Sequence, residues 1–163
     1  VPDRPEPDLP TDLQTEPTHE PELAVLITQI AGAEPLAAAC SLAQIEVDAV
    51  PTSVGALAVL RDRRGDAPDR AASAVSQLVR GVPLVLVTRR GEQLTCVRYQ
   101  DGASEGTLAP GLVLGGAPEE IEDLLTGQVT VADLAGVVPS SSISRLKAMR
   151  MLTGAARKAR KKR

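Results

Sequence analysis

A chain of 163 residues that holds one tyrosine and neither phenylalanine nor tryptophan has to build its interior from Leu, Val, Ile and Ala. These side chains fill space in small increments and offer few deep anchors, so the core must consist of many close contacts. The same shortage excludes chemistry. There is no material for an aromatic cage or a base-stacking platform, and His19 is the only imidazole. With 43% apolar and 24% charged residues the chain is globular in composition. Roughly 120 residues between the tails bury about two-thirds of their unfolded surface, enough for independent folding.

Charge is distributed unevenly. Residues 1–22 hold seven acids against Arg4 alone, interleaved with six prolines, and that composition predicts a disordered acidic tail. Residues 145–163 hold nine cations and no acid: Arg145, Lys147, Arg150, Arg157, Lys158, Arg160, Lys161, Lys162 and Arg163. The body between them, 23–144, has a net charge of −6 and repels polyanions, so only the basic end attracts nucleic acid or another polyanion. The acidic tail is expected to compete with such a ligand for the basic end. No apolar run reaches the roughly 18 residues of a membrane span, and the start of the chain is acidic where a signal peptide is basic and then apolar. A soluble, cytoplasmic protein is expected.

Periodicity orders the elements. Residues 23–30 form a short apolar, β-branched run, read as a strand, and Glu34-Pro35 opens a helix with Leu36, Ala39, Cys40 and Ala43 on one stripe. Two short strands follow at 47–50 and 54–61. A helix begins after Asp66, with Ala71, Ala72, Val75, Leu78 and Val79 inward and Gly81 after it. Residues 82–88 and 93–100 flank Arg89-Arg90-Gly91-Glu92 as a hairpin, with Pro83 at its start. Residues 101–117 look weakly structured, with one short strand at 112–114. Helices are then expected at 118–126, at 131–135 behind a Thr130/Asp133 capping box, and from a cap at Ser140–Ser142 onward, with Ile143, Leu146, Met149 and Leu152 inward.

This order, with connections too short for crossovers at 47–61 and 82–100, predicts an α+β fold. The expected architecture is a ferredoxin-like sandwich, a mostly antiparallel sheet with helices on one face, plus C-terminal helices. The organisation is a disordered tail 1–22, an α+β domain 23–116, a helical segment 117–153 packed on it, and a basic tail 154–163.

The candidate chemistries fall away in turn. His19 lies in the Pro-rich tail, and Ser140, Ser141 and Ser142 have no neighbouring base, which suits caps rather than nucleophiles. Glu119, Glu120, Glu122 and Asp123 form an acidic helix start, favourable to the dipole without being a metal site. The glycines of 111–116 lack phosphate-loop spacing and precede acids. Cys40 and Cys96 have no metal or redox spacing, and both are expected to be reduced and buried. Residues 129–146 resemble the helix-turn-helix of lactose-repressor-type regulators at Thr130, Ala135, Ser142, Ile143, Ser144 and Arg145. Ala135 and Ile143, however, stand eight apart where that motif needs ten, and Pro139 sits within its turn, so two packing helices and a capped loop are expected instead.

No catalytic, cofactor-binding or metal-binding residue is therefore assigned. The expected function is that of a non-enzymatic adaptor or regulatory module that binds a protein partner. The alternative is a nucleic-acid-associated protein that grips phosphates through 145–163.

Overall fold

The computed structural model describes residues 21–151. The readings made for 1–20, His19 among them, and for 152–163 with its six terminal cations lie outside the described residues. The described chain runs β1 (Leu23–Ile27), α1 (Ala33–Leu42), β2 (Val47–Val50), β3 (Leu57–Leu60), α2 (Ala67–Leu78), β4 (Leu84–Arg90), β5 (Gln93–Gln100), β6 (Ala103–Leu108), α3 (Pro110–Gly115), α4 (Glu119–Thr126), β7 (Val138–Pro139) and α5 (residues 145–151). It is an α+β fold around one seven-stranded sheet in the order β6-β5-β4-β1-β3-β2-β7, with every neighbouring pair antiparallel.

The strands themselves dictate the layers. In β1, β3 and β4 the sequences LAVLI, LAVL and LVLV are apolar at consecutive positions, so both faces of the central sheet need cover. On one face Ala24, Leu26, Ala58, Leu60, Leu84 and Leu86 pack with Leu36 and the alanines of α1 and with Ala72 and Val75 of α2. On the other, Val25, Val59, Val87 and Cys96 meet Ile121, Leu124 and Leu125 of α4, apolar residues at helical spacing. The expectation of helices on one face alone is thus corrected, because strands apolar at every position bury both sides. Alanine-rich α1 substitutes for missing aromatics by lying close to the sheet, with Ala37, Ala38 and Ala39 fully buried.

Glycine and proline set the strand ends. The hairpin turn is Gly91-Glu92, since Arg90 pairs with Gln93, and Gly91 has φ 63°. Gly55 (φ 132°) lies so close to the chain leaving β1 that a Cβ there would stand 2.4 Å from the Thr28 carbonyl oxygen, and β3 starts at Leu57 rather than 54. β6 was not expected: residues 103–107 are exposed, and the strand pairs with β5 through its backbone, past a register shift near Gly106 (φ 109°). The strand expected at 112–114 belongs to helix α3, opened by Pro110.

Two further readings change. Residues 131–133 form a single 3₁₀ turn, with the expected Thr130/Asp133 capping box, and the chain then adds the two-residue strand β7 to the sheet edge. This segment is neither a helix-turn-helix nor a helix pair. Pro21 and Glu22, expected in the tail, are held: the Pro21 carbonyl accepts from Arg63 Nε at 2.9 Å, and Glu22 N–H donates to the Arg89 carbonyl at 2.8 Å. Cys40 and Cys96 are both free and buried, on opposite faces of the sheet. Among the described residues no helix is long and apolar enough to cross a membrane.

Candidate binding groove

The connection from α1 to β2 must stop a helix and start a strand within four residues, and it contains no glycine. Gln44 takes the left-handed position that glycine ordinarily fills, at φ 62°. The helix end is closed by Ile45 N–H donating to the Cys40 carbonyl at 2.9 Å and Gln44 N–H to that of Ser41 at 3.0 Å. A non-glycine residue is strained in this conformation, and Gln44 carries an exposed side chain there.

Two cavities meet at this connection. One, of about 360 Å³, lies between Gln44–Glu46 and the start of α2, floored by Ala67, Ala71 and Ala74 and rimmed by Asp62 and Arg70. The other, of about 310 Å³, continues past Ser41 to Ser140, Ser144 and Arg145. Gln44, Ile45 and Glu46 line both, so the two cavities adjoin along this connection as one groove. The floor is made of small residues and the rim carries both signs of charge. Backbone and side-chain hydrogen bonds from Arg64 hold the Asp62 carboxyl below its ordinary range, so it is ionised at neutral pH.

Ser140 closes the far wall. Expected as a helix cap, it is instead buried, its Oγ accepting from Val47 N–H at 2.9 Å and donating to the Ile45 carbonyl at 2.9 Å. The sheet explains why a side chain does this. Arg61 N–H bonds to the Glu46 carbonyl, so alternation turns the backbone groups of Val47 and Ala49 toward β7. Pro139 sits opposite Asp48, where no N–H is needed, and Ser140 supplies by hydroxyl the bond that Val47 requires. Ser142 Oγ donates to the Pro139 carbonyl at 2.7 Å, closing a 3₁₀ turn, and the residue that caps α5 is Ser144, whose Oγ accepts from Lys147 N–H at 3.1 Å.

The structure brings Arg145, Lys147 and Arg150 to the surface of α5, with Arg145 at the groove. Arg157, Lys158, Arg160, Lys161, Lys162 and Arg163 lie outside the described residues. The helix is fixed to the domain by buried Ile143 and Ala148 and by Ser41 Oγ donating to the Ile143 carbonyl at 2.6 Å. Leu146 and Met149, expected inward, are 64% and 55% exposed. The acids Glu119, Glu120 and Glu122 are exposed in the first turn of α4, and among the described residues no three His, Cys, Asp or Glu converge as ligands for a metal.

Sequence reasoning did not find Gln44, Glu46, Asp62 and Arg70. One trace was legible: a helix stripe ending at Ala43 runs into β-branched residues with no glycine between. Comparison of the chain with protein-family models, with curated proteins and with solved structures finds no match.

Proposed function

We propose that this chain is a non-enzymatic adaptor or regulatory module that receives a segment of a protein partner in the Gln44–Glu46 groove. The observation that carries the reading is Gln44, a non-glycine residue kept in a left-handed conformation at the point where both cavities meet. Strain of this kind costs about 1 kcal/mol or more, and of the two described non-glycine residues that carry it, Gln44 and Asp101, Gln44 is the one that lines both of these cavities. A floor of alanines beside Ile45 accepts the small apolar side chains of a peptide, and Glu46, Asp62, Arg70 and Arg145 on the rim suit a partner of mixed charge.

The module belongs by this reading to the ferredoxin-like class. The succession β1-α1-β2-β3-α2-β4 with the order β4-β1-β3-β2 supports it, each β-α-β unit leaving room for one strand between its own two. Strands β5, β6 and β7 are then additions to its edges. Of the two functions expected from the sequence, the polyanion reading draws on nine cations, of which the described Arg145, Lys147 and Arg150 stand at the surface. The groove favours the protein partner, because phosphate binding needs no concave floor of alanine.

The test is photocrosslinking of the full chain in a lysate of its source cell, with the reactive residue at position 70 on the rim or at exposed position 128 on the opposite face. An adduct is expected at 70 and not at 128, displaced by excess unlabelled chain. Gln44→Gly is expected to weaken that adduct while raising the melting temperature, since it removes a groove side chain and relieves strain. Adducts indifferent to position, or to Gln44→Gly, overturn the reading.

A further inference from the structure

Helix α5 presents a second surface, which borders the groove at Arg145 but whose apolar residues lie outside it. A helix advances roughly 100° per residue, so the docking of Ala148 and the half-buried Met151 against the core points the opposite side to solvent. Leu146 and Met149 lie on that outward side, 64% and 55% exposed. Arg145 falls on one flank of the pair and Arg150 on the other, with Lys147 further round. No acid lies in residues 145–163, and six further cations follow position 152. Glu46 shares a cavity with Arg145.

We infer that this apolar pair, framed by Arg145, Lys147 and Arg150 on a helix fixed to the domain, docks on an anionic phospholipid surface. Cations attract acidic headgroups from solution, and the pair then leaves water for the acyl boundary. Arginine and lysine stems lie along the membrane plane while their charged ends stay among the headgroups. The helix lies on the bilayer without crossing it. The body, at −6 over residues 23–144, is repelled by the same surface, so attraction is confined to one end and the orientation is fixed. A nucleic acid would engage the cations and leave Leu146 and Met149 in water. The bilayer accounts for both.

The experiment is sedimentation of the full chain with vesicles of neutral phosphatidylcholine or of phosphatidylcholine with phosphatidylglycerol, at low and physiological salt. The double variant Leu146→Ser/Met149→Ser runs alongside, and its circular dichroism melt is expected to match that of the parent because both positions are exposed. Binding is expected to the anionic vesicles only, weakened by salt, and lowered about tenfold by the serine pair. Duplex DNA binding at equal salt is expected to be unchanged by the serine pair. Equal binding to neutral and anionic vesicles overturns the inference. So does an unaltered vesicle affinity of the serine variant, which leaves the cations acting alone on any polyanion. Concentration-dependent self-association abolished by the serine pair also overturns it, since a second copy then covers the apolar surface.

Discussion

Replacing Ser140 by alanine removes one hydroxyl and disconnects two backbone groups. Val47 is fully buried, so its N–H loses its 2.9 Å acceptor with no water to take its place. The Ile45 carbonyl loses its donor at a half-buried position that solvent can reach. Two ordinary hydrogen bonds contribute about 1 kcal/mol each, and a stranded buried N–H raises the cost to about 2–3 kcal/mol in all. Alanine fits the space, so no steric cost is added. Against a total stability of about 5–15 kcal/mol for a domain of this size, that is a large share.

Urea unfolding followed by far-ultraviolet circular dichroism measures it. Ser140→Ala is expected to lower the midpoint at unchanged slope, whereas Ser141→Ala, at an exposed neighbour, is expected to stay within about 0.5 kcal/mol of the parent. Amide exchange at Val47 is expected to accelerate in the Ser140 variant because its acceptor is gone. If Ser140→Ala behaves like Ser141→Ala, or if Val47 keeps its protection, the serine is not what secures residues 138–143 to β2.

Gly55→Ala is expected to lower the melting temperature by about 10 °C, because a left-handed backbone and a Cβ driven against the Thr28 carbonyl together cost about 3 kcal/mol; a melt equal to the parent's refutes the close approach of the two strands. Burial raises the Cys40 thiol from 9.0 to about 12, and burial with the hydrogen bond to Asp69 raises the Tyr99 phenol from 10.0 to about 12. Both groups are held neutral by the fold, so the stability they contribute is complete below about pH 9 and is lost as pH rises toward about 12. Urea midpoints are expected to fall across that alkaline window, less steeply in Tyr99→Phe; a variant as pH-dependent as the parent refutes the tyrosine's share.

What the sequence made legible was whatever rests on apolar periodicity. Strands β1 to β5 follow from short apolar, β-branched runs and helices α1 and α2 from helical spacing, the burial of both thiols follows from the apolar character of a cysteine without metal or redox spacing, and the capping box at Thr130 and Asp133 follows from local chemistry. β6 left no such trace, since A-S-E-G-T-L is polar and its strand exists through backbone pairing to β5. Of the inward stripe assigned to Ile143, Leu146, Met149 and Leu152, Ile143 is buried, Leu152 lies outside the described residues, and Leu146 and Met149 face outward for a geometric reason. Residues three apart drift by roughly 60° per step on an α-helix, so a strict three-residue string cannot keep facing one way. Ile143 moreover lies before the helix, and Ala148 takes the inward position. Ser140 could be recognised as a cap-type residue but not as a bridge, because its two partners lie more than ninety residues back in the chain. The groove was illegible because alanines form its floor, and they show no pattern apart from helix propensity.

The groove and the outward face of α5 are joined through one short stretch of backbone. The Ile45 carbonyl and Val47 N–H hold Ser140, Ser41 holds the Ile143 carbonyl, and Arg145 begins the helix at the groove wall. Displacing Gln44–Glu46 therefore strains the bonds that seat α5, and displacing α5 strains the bonds that shape the groove. Any ligand that binds one surface with a preference for a particular seating of this stretch changes affinity at the other by the same factor, in either direction, since coupling between two binding equilibria is reciprocal. Ser140→Ala cuts two of these three bonds without touching either surface's exposed side chains. It is thus the variant that separates coupled binding from binding at two independent faces: coupling weakens with loss of the serine, while independent affinities survive it.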